Sequence, residues 1–246
     1  DDPPEAAQPD PQRVRQCLDH GLPPFAADSL VREDAWLAYL QALLQRYQPP
    51  AQPAVENAVA TLREANVGQR KAWAIALVSG QFSLLPAALV PFLGAALQVA
   101  WSHWLLSTPD LALKPGNSLN QCPACGSPAM AGVIRHPGKC NGLRYLVCSL
   151  CACEWHVVRV KCVYCEQSKG LQYVSLDTDR HAADKAPLRA ETCPGCRSYL
   201  NQLYLEWDAE GEALSADLSS LMLDMRLEGD RDGVHAAMDI GAVYSP

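Results

Sequence analysis

Four Cys-x-x-Cys pairs stand in the second half of the chain: Cys122/Cys125, Cys148/Cys151, Cys162/Cys165 and Cys193/Cys196. Two cysteines three positions apart can turn both sulfurs toward one ion. Two such clamps close a tetrahedral tetrathiolate cage with metal–sulfur bonds of about 2.3 Å. Eight thiols within 75 residues therefore suffice for two ions. Sequential grouping places Cys122, Cys125, Cys148 and Cys151 on one ion and Cys162, Cys165, Cys193 and Cys196 on the other. The loops inside each group are then 22 and 27 residues, long enough for a hairpin, with a 10-residue connector between groups. An interleaved grouping is the rival. Four thiolates suit zinc or iron, and spacing does not separate the two. A closed cage leaves no position for a metal-bound water, which argues against a hydrolytic metalloenzyme.

Three cysteines fall outside the clamps. Cys17, Cys140 and Cys153 read as ordinary thiols, and His136 and His156 are lesser candidates to replace a sulfur. The sequence contains no dinucleotide fingerprint, phosphate loop, His-Glu-x-x-His or nucleophile elbow. There is no signal-peptide pattern at Asp1-Asp2-Pro3-Pro4-Glu5, and the even two-residue gaps fit metal better than disulfides. The chain also lacks an initiator Met, which suggests a processed or partial chain.

The cysteines must be held by something, and the 246 residues have the material for it: apolar content is 49%. Net charge is −7 and the pI about 5.3, which opposes general nucleic-acid binding, since that needs a surplus of Lys and Arg. Ten of the 11 cysteines lie in residues 119–196, so the composition changes near Pro115-Gly116-Asn117-Ser118. Before that point the chain reads as helix. Leu30, Leu37, Leu40, Leu44 and Tyr47 form one stripe, with Asp28 or Ser29 as cap and Pro49-Pro50 as stop. Val55, Val59 and Leu62 form a second, and Trp73 and Leu77 begin a third.

From Ala72 to Pro109 no residue is charged. Pro86, Pro91, Gln98, Ser102 and His103 favour two or three short helices inside a bundle over a membrane span. His103, between Trp101 and Trp104, reads as a core histidine.

After the boundary, Leu143–Cys148, Trp155–Val160, Leu171–Leu176 and Tyr199–Trp207 alternate as short strands adjoining the clamps. A strand running into a cysteine knuckle is the pattern of a rubredoxin or zinc-ribbon module, whose small core makes the ion a source of folding energy. The tail returns to helix, with Ser215 as cap. Leu214, Leu218, Leu221, Met222 and Met225 line one face, with Asp217, Asp224 and Glu228 between them.

The expected architecture is α+β and multidomain. An α-helical bundle (1–118) precedes two rubredoxin-like or zinc-ribbon modules (119–161 and 162–246), the second carrying the C-terminal helix.

The stretch GLRYLVCSLCACEWHVVRVKCVYCEQ, from Gly142 to Gln167, goes beyond clamp spacing. With CPACGSPAM at Cys122, AETCPGCRSYL around Cys193 and ADLSSLMLDMRLE near the end, it resembles the formate dehydrogenase accessory protein family, FdhE. The resemblance is dense over residues 119–228 and looser in the helical part. It implies a cytoplasmic, non-catalytic protein that serves maturation of exported respiratory formate dehydrogenases and contacts their catalytic subunit. It also implies iron at the eight clamp cysteines, about two ions per chain, with zinc as the alternative. Neither nucleic acid nor membrane insertion is expected, and a homodimer stays open. Two departures concern the ends. Family members carry a further N-terminal segment, and Met238–Pro246 differs from the expected ending, which puts partner contacts there in doubt.

Arg144, Trp155, His156, Arg159 and Lys161 lie on the strands that join the clamps. Alternation puts Trp155, Val157, Arg159 and Lys161 on one face, a composition suited to a partner patch. Arg144, Trp155, Arg159 and Lys161 are accordingly the candidate partner-binding residues. Asp217, Asp224 and Glu228 are a second candidate, facing a basic partner segment, although a plainly solvated helix face explains them as well. The competing functions are a rubredoxin-like electron carrier, a zinc-ribbon nucleic-acid-binding module and a thiol oxidoreductase.

Overall fold

The structure, a computed structural model, describes residues 8–108, 111–114, 118–138, 141–176, 185–229 and 235–236. Cys140, Pro115–Asn117, Met238–Pro246 and the Glu228 side chain lie outside the described residues. Two compact units divide the chain. The first is residues 1–114 with 123–127 and 150–152, and the second is 115–122 with 128–149 and 153–246.

The first unit is helical: α1 (Pro11–Asp19), α2 (Ala27–Leu30), α3 (Leu37–Arg46), α4 (Pro53–Glu64), α5 (Val67–Val78) and α6 (Val90–Ser107), with 3₁₀ turns at Phe82–Leu84 and Ala87–Leu89. Local chemistry sets the starts. Pro53 opens α4 in its first turn, and the Asn66 side chain accepts from Gln69 N at 2.9 Å to cap α5. Trp36, Leu40, Leu62, Leu93, Leu97, Trp101 and Trp104 are buried and make the core.

The helix expected from Ser29 to Tyr47 is two helices, not one. The chain turns between α2 and α3, where the buried Trp36 indole N–H donates to the Val31 carbonyl at 3.0 Å. That bond spends the local donors and acceptors on a corner. The uncharged stretch holds the end of α5, the two 3₁₀ turns and α6, which at 18 residues is longer than the short helices expected. The span Ala87–Ser107 is long and apolar enough to cross a membrane, by length and composition. Leu93, Ala96, Leu97, Ala100, Trp101 and Trp104 are buried at helical spacing, while Val99 and Leu106 face outward. Pro91 sits in its first turn, where a missing N–H costs nothing. His103 is half-buried, with Nδ1 at 2.6 Å from the Tyr39 hydroxyl, a satisfied histidine.

The second unit is a mixed sheet with β1 (Ala129–Ile134), β2 (Arg144–Cys148), β3 (Glu154–Val157), β4 (Gln172–Val174), β5 (Leu188–Cys193) and β6 (Ser198–Tyr204). Their order is β3-β2-β1-β6-β5-β4, and a short β7 (His235–Ala236) also pairs with β6. The neighbours β1 and β6 are parallel and join what would be two separate ribbons into one sheet. Ala131, Val133, Val147 and Leu203 form a core with Ala213 at the start of α7 (Ala213–Ser219). Ala190 and Tyr199 form another with Leu223 and Leu227 of α8 (Leu221–Gly229).

The C-terminal helix is inverted relative to the expectation. Leu218, Met222 and Met225 are 62%, 69% and 70% exposed, and Leu214 and Leu221 are also exposed. The side toward the sheet carries buried Leu223 and Leu227 together with polar Ser220 and Asp224. Asn201 Nδ2 on β6 donates to Ser220 Oγ (2.8 Å) and Asp224 Oδ1 (3.0 Å), and Ser220 Oγ lies 2.9 Å from Asp224 Oδ2. Asp224 is thus committed inward and does not stand on an acidic outer face. Burial, reinforced by Asp224, pushes the Asp217 carboxyl up to about 6. The N-cap is Glu212, which accepts from Leu214 N and Ser215 N, rather than Ser215. The helix breaks at Ser220, whose own hydroxyl bonds the Asp217 carbonyl at 2.6 Å.

Candidate metal centres

The described residues hold two clusters of four cysteines. Cys122, Cys125, Cys148 and Cys151 lie together, and so do Cys162, Cys165, Cys193 and Cys196. In each cluster all sulfurs are within 4.8 Å of one another. This is the sequential grouping. The strands deliver the ligands: Cys148 ends β2 and Cys193 ends β5, and in each case the strand runs straight into its knuckle.

Each knuckle closes in the same way. The residue after the second cysteine adopts the left-handed conformation, namely Gly126 (φ 78), Ala152 (φ 55), Glu166 (φ 62) and Arg197 (φ 56). Ala152, Glu166 and Arg197 account for every positive-φ non-glycine among the described residues. The turn points the next N–H back across the clamp: Glu166 N donates to the Cys162 carbonyl (3.0 Å) and Arg197 N to that of Cys193 (2.8 Å). Left-handed backbone costs an ordinary residue about 1–2 kcal/mol, so three knuckles hold strain that only a closed clamp justifies. Residue-type patterns did not flag this, since only Gly126 carries the glycine that marks such a turn.

The sulfurs fit a tetrathiolate ion. Bonds of about 2.3 Å in a tetrahedron imply sulfur–sulfur edges of about 3.8 Å. In the second cluster Cys162 and Cys196 approach to 3.6 Å and Cys165 and Cys193 to 3.5 Å. These are far beyond a disulfide bond of about 2.05 Å.

As free thiols, the second cluster's members are unequal. Burial raises Cys162. A backbone hydrogen bond from Gln167 lowers Cys165, but burial and the neighbouring thiols push it up to about 12. Burial raises Cys196, yet Ser198 and the neighbouring thiols bring it down to about 7.

Burial separates the clusters. All four first-cluster cysteines are buried. In the second, Cys162 and Cys193 are buried, Cys165 is half-buried and Cys196 is exposed. Among the described residues neither cluster includes a histidine: exposed His136 bonds Asn141, and His156 packs on Tyr145. Cys17 and Cys153 are half-buried and belong to neither cluster.

Two of the four expected partner residues are not at the surface. Arg144 is 0% exposed and Trp155 is buried, with its indole N–H on the Leu119 carbonyl at 2.9 Å. Arg144 instead reaches across the sheet. Its Nη2 lies 3.1 Å from Glu191 Oε1 on β5, and its Nη1 donates to the carbonyls of Lys161 (3.0 Å) and Arg159 (3.4 Å). With its amide oxygen turned to the guanidinium, Gln202 on β6 accepts from Arg144 Nη2 at 2.7 Å. Gly132 on β1 makes the path: a Cβ there would stand 3.1 Å from the Gln202 amide and 3.4 Å from Arg144 Nε. Tyr173 completes the network, donating to Glu191 Oε2 at 2.9 Å. Burial still pushes the Glu191 carboxyl above the usual range, against the pull of Arg144 and Tyr173. Because Lys161 immediately precedes Cys162, this buried guanidinium braces the second cluster's first knuckle. Strand β3 ends at Val157, so the alternation stops there. Arg159 is exposed, and Lys161, at the surface, pairs with Glu166 at 2.6 Å.

Models of the FdhE N-terminal, central and C-terminal domains match residues 1–117, 121–159 and 160–238. The chain belongs to the FdhE family. Relatives called Protein FdhE homolog include one from Pseudomonas putida, 64% identical over 94% of this chain and 72% of its own length. One from Pseudomonas aeruginosa is 63% identical over 94% and 74%. The Edwardsiella ictaluri protein is 38% identical over 87% and 68%. The crystal structure of the FdhE protein from Pseudomonas aeruginosa matches with a TM-score of 0.90 and 59% identity. That match covers 97% of this chain and 81% of the other. FdhE proteins are accessory proteins, and this member carries two four-cysteine clusters able to hold a metal ion.

Proposed function

We propose that this FdhE protein is a cytoplasmic assembly factor that binds the catalytic subunit of an exported respiratory formate dehydrogenase and supports its maturation. Each four-cysteine cluster holds one iron ion, and the ions pin the sheet as a rigid docking platform that performs no turnover itself. The observation that carries this reading is the pair of sulfur clusters closed by four thiols each within an FdhE chain. A full set of four thiolates leaves the ion no position for substrate. Of the expected partner residues, Arg159 and Lys161 remain accessible and are the platform's candidate contacts.

The test is anaerobic capture of a formate dehydrogenase catalytic subunit on the tagged, metal-loaded chain. The wild type should retain the subunit, and Arg159→Ala should weaken retention with both ions kept. No retention by the wild type contradicts the reading, and unchanged retention by Arg159→Ala retires this patch.

A second reading rests on the exposure of Cys196. A ferric or ferrous ion there would be near enough to solvent for a rubredoxin-like electron carrier. Voltammetry separates the two: a reversible one-electron wave supports the carrier, and its absence removes it.

A further inference from the structure

The two clusters use the same ligands and the same knuckle but differ in cover. Both contain a Cys-Pro-x-Cys clamp, CPAC at 122–125 and CPGC at 193–196. In the first, Pro123, Ala124 and Cys125 are buried, and the carbonyls of Ala124 and Cys125 accept from Phe25 N (2.8 Å) and Ala27 N (2.9 Å). Leu150 and Cys151, in the other clamp of that cluster, are buried too. In the second, Pro194, Gly195, Cys196 and Arg197 are all exposed. Gly195 brings no side chain of its own over the sulfur, and the Gln167 amide lies against it.

Ligand exchange at a four-coordinate ion starts when an incoming donor reaches it from a face where a bound sulfur meets solvent. Only the second cluster presents such a face among the described residues. Resting on the reading that both clusters hold ions, we propose that the second cluster is the exchangeable metal site. Its ion would enter and leave past Cys196, while the first cluster would release its ion far more slowly. In exchange, an incoming donor's lone pair would take the place that the Cys196 sulfur gives up, with that sulfur's electron pair staying on sulfur. No electron is transferred, and the released thiolate takes a proton from water. Ser198 holds that arm ready to close again, because its hydroxyl lies 2.9 Å from Cys196 Sγ and 3.8 Å from Cys162 Sγ. Fe(II) or Zn(II), borne by a thiol or nitrogen ligand, is the class of cargo this face admits.

The experiment uses the full chain purified anaerobically, its ions counted first and then challenged with ferrozine, or with pyridylazoresorcinol if the ion is zinc. About two ions at the start are expected from eight thiols, and fewer than that contradicts the proposed function along with this inference. With two ions present, release should follow two phases of equal amplitude, differing in rate by at least about tenfold. Cys196→Ala should abolish the fast phase and leave the slow one unchanged. One common phase, or a fast phase that survives Cys196→Ala, overturns the proposal. Pulsed iodoacetamide labelling of the wild type during release gives a readout that no folding defect can blur. Cys162, Cys165, Cys193 and Cys196 should be alkylated in step with the fast phase. Earlier labelling of Cys122, Cys125, Cys148 or Cys151 overturns it.

Discussion

The first sulfur cluster is buried on all four ligands and the second is open at Cys196, although both are made from paired Cys-x-x-Cys clamps. Every clamp ends in a left-handed residue, so the local turn is common to both. The difference lies in what a distant part of the chain brings to the tip. Phe25 and Ala27 bond the Ala124 and Cys125 carbonyls of the first cluster, whereas the Pro194–Arg197 tip stays exposed. Clamp geometry is therefore a property of four to five residues, and accessibility is a property of the fold.

The largest test of that contrast is to remove one sulfur from each cluster. Cys148→Ser leaves a buried, incomplete cage in the first cluster. Structural zinc in comparable small sites contributes about 10–16 kcal/mol, so loss of that ion should leave the chain insoluble or without a cooperative transition by circular dichroism. Cys196→Ser, at an exposed ligand, should keep a cooperative transition at a lower Tm. Equal losses would erase the distinction between the clusters.

The next test concerns the brace behind the second cluster. Arg144→Met leaves the Glu191 carboxylate buried without its cation and should cost about 3–5 kcal/mol in urea unfolding. The double variant Arg144→Met/Glu191→Leu should recover most of that loss, since it removes the stranded charge as well. Metal release from the second cluster should quicken in Arg144→Met while that of the first holds.

This brace shows how much could be read from the chain alone. The clamps, the helical first part and the strands leading into knuckles follow from short-range spacing, and the structure has each of them; spacing left the grouping open between sequential and interleaved, and the structure has the sequential one. Arg144 defeats the same reading because its partners Glu191 and Gln202 come from strands far along the sequence. A basic residue on an alternating strand looks solvent-facing until β1 and β6 pair in parallel and bring β5 within reach. The C-terminal helix fails for a related reason. Its expected Leu and Met stripe is exposed, because Leu223 and Leu227 pack on Ala190 and Tyr199 while Asn201 bonds Ser220 and Asp224. Trp36 splits the expected first helix through a bond to Val31 that no periodicity reports.

A smaller effect tests that inverted helix, which packs on the strand following the second cluster's last knuckle. The Asp217 carboxyl is raised to about 6, so the folded chain holds a proton there that the unfolded chain has released. Its contribution to stability is full below the ordinary carboxylate range, about 4, and is lost as pH rises through about 6. Asp217→Asn should therefore raise Tm at pH 7, change it little at pH 4, and flatten the dependence between. A variant as pH-dependent as the wild type would place the charge elsewhere.

The smallest effects compare the knuckles themselves. Gly126→Ala puts a side chain at φ 78 and should cost about 1–2 kcal/mol. Arg197→Gly, relieving φ 56 in the exposed knuckle, should stabilise by up to about 1 kcal/mol in urea unfolding. Effects of opposite sign show that the left-handed turn, and not the residue type, is what the two clusters share.

In the proposed function two ions, each held by four thiolates, pin one sheet. Metal analysis of the anaerobically purified chain, joined to X-ray absorption at the metal edge, tests it most directly. We predict about two ions per chain, with four sulfur neighbours each at about 2.3 Å. Fewer ions, or sulfurs paired with one another at about 2.05 Å, would contradict it.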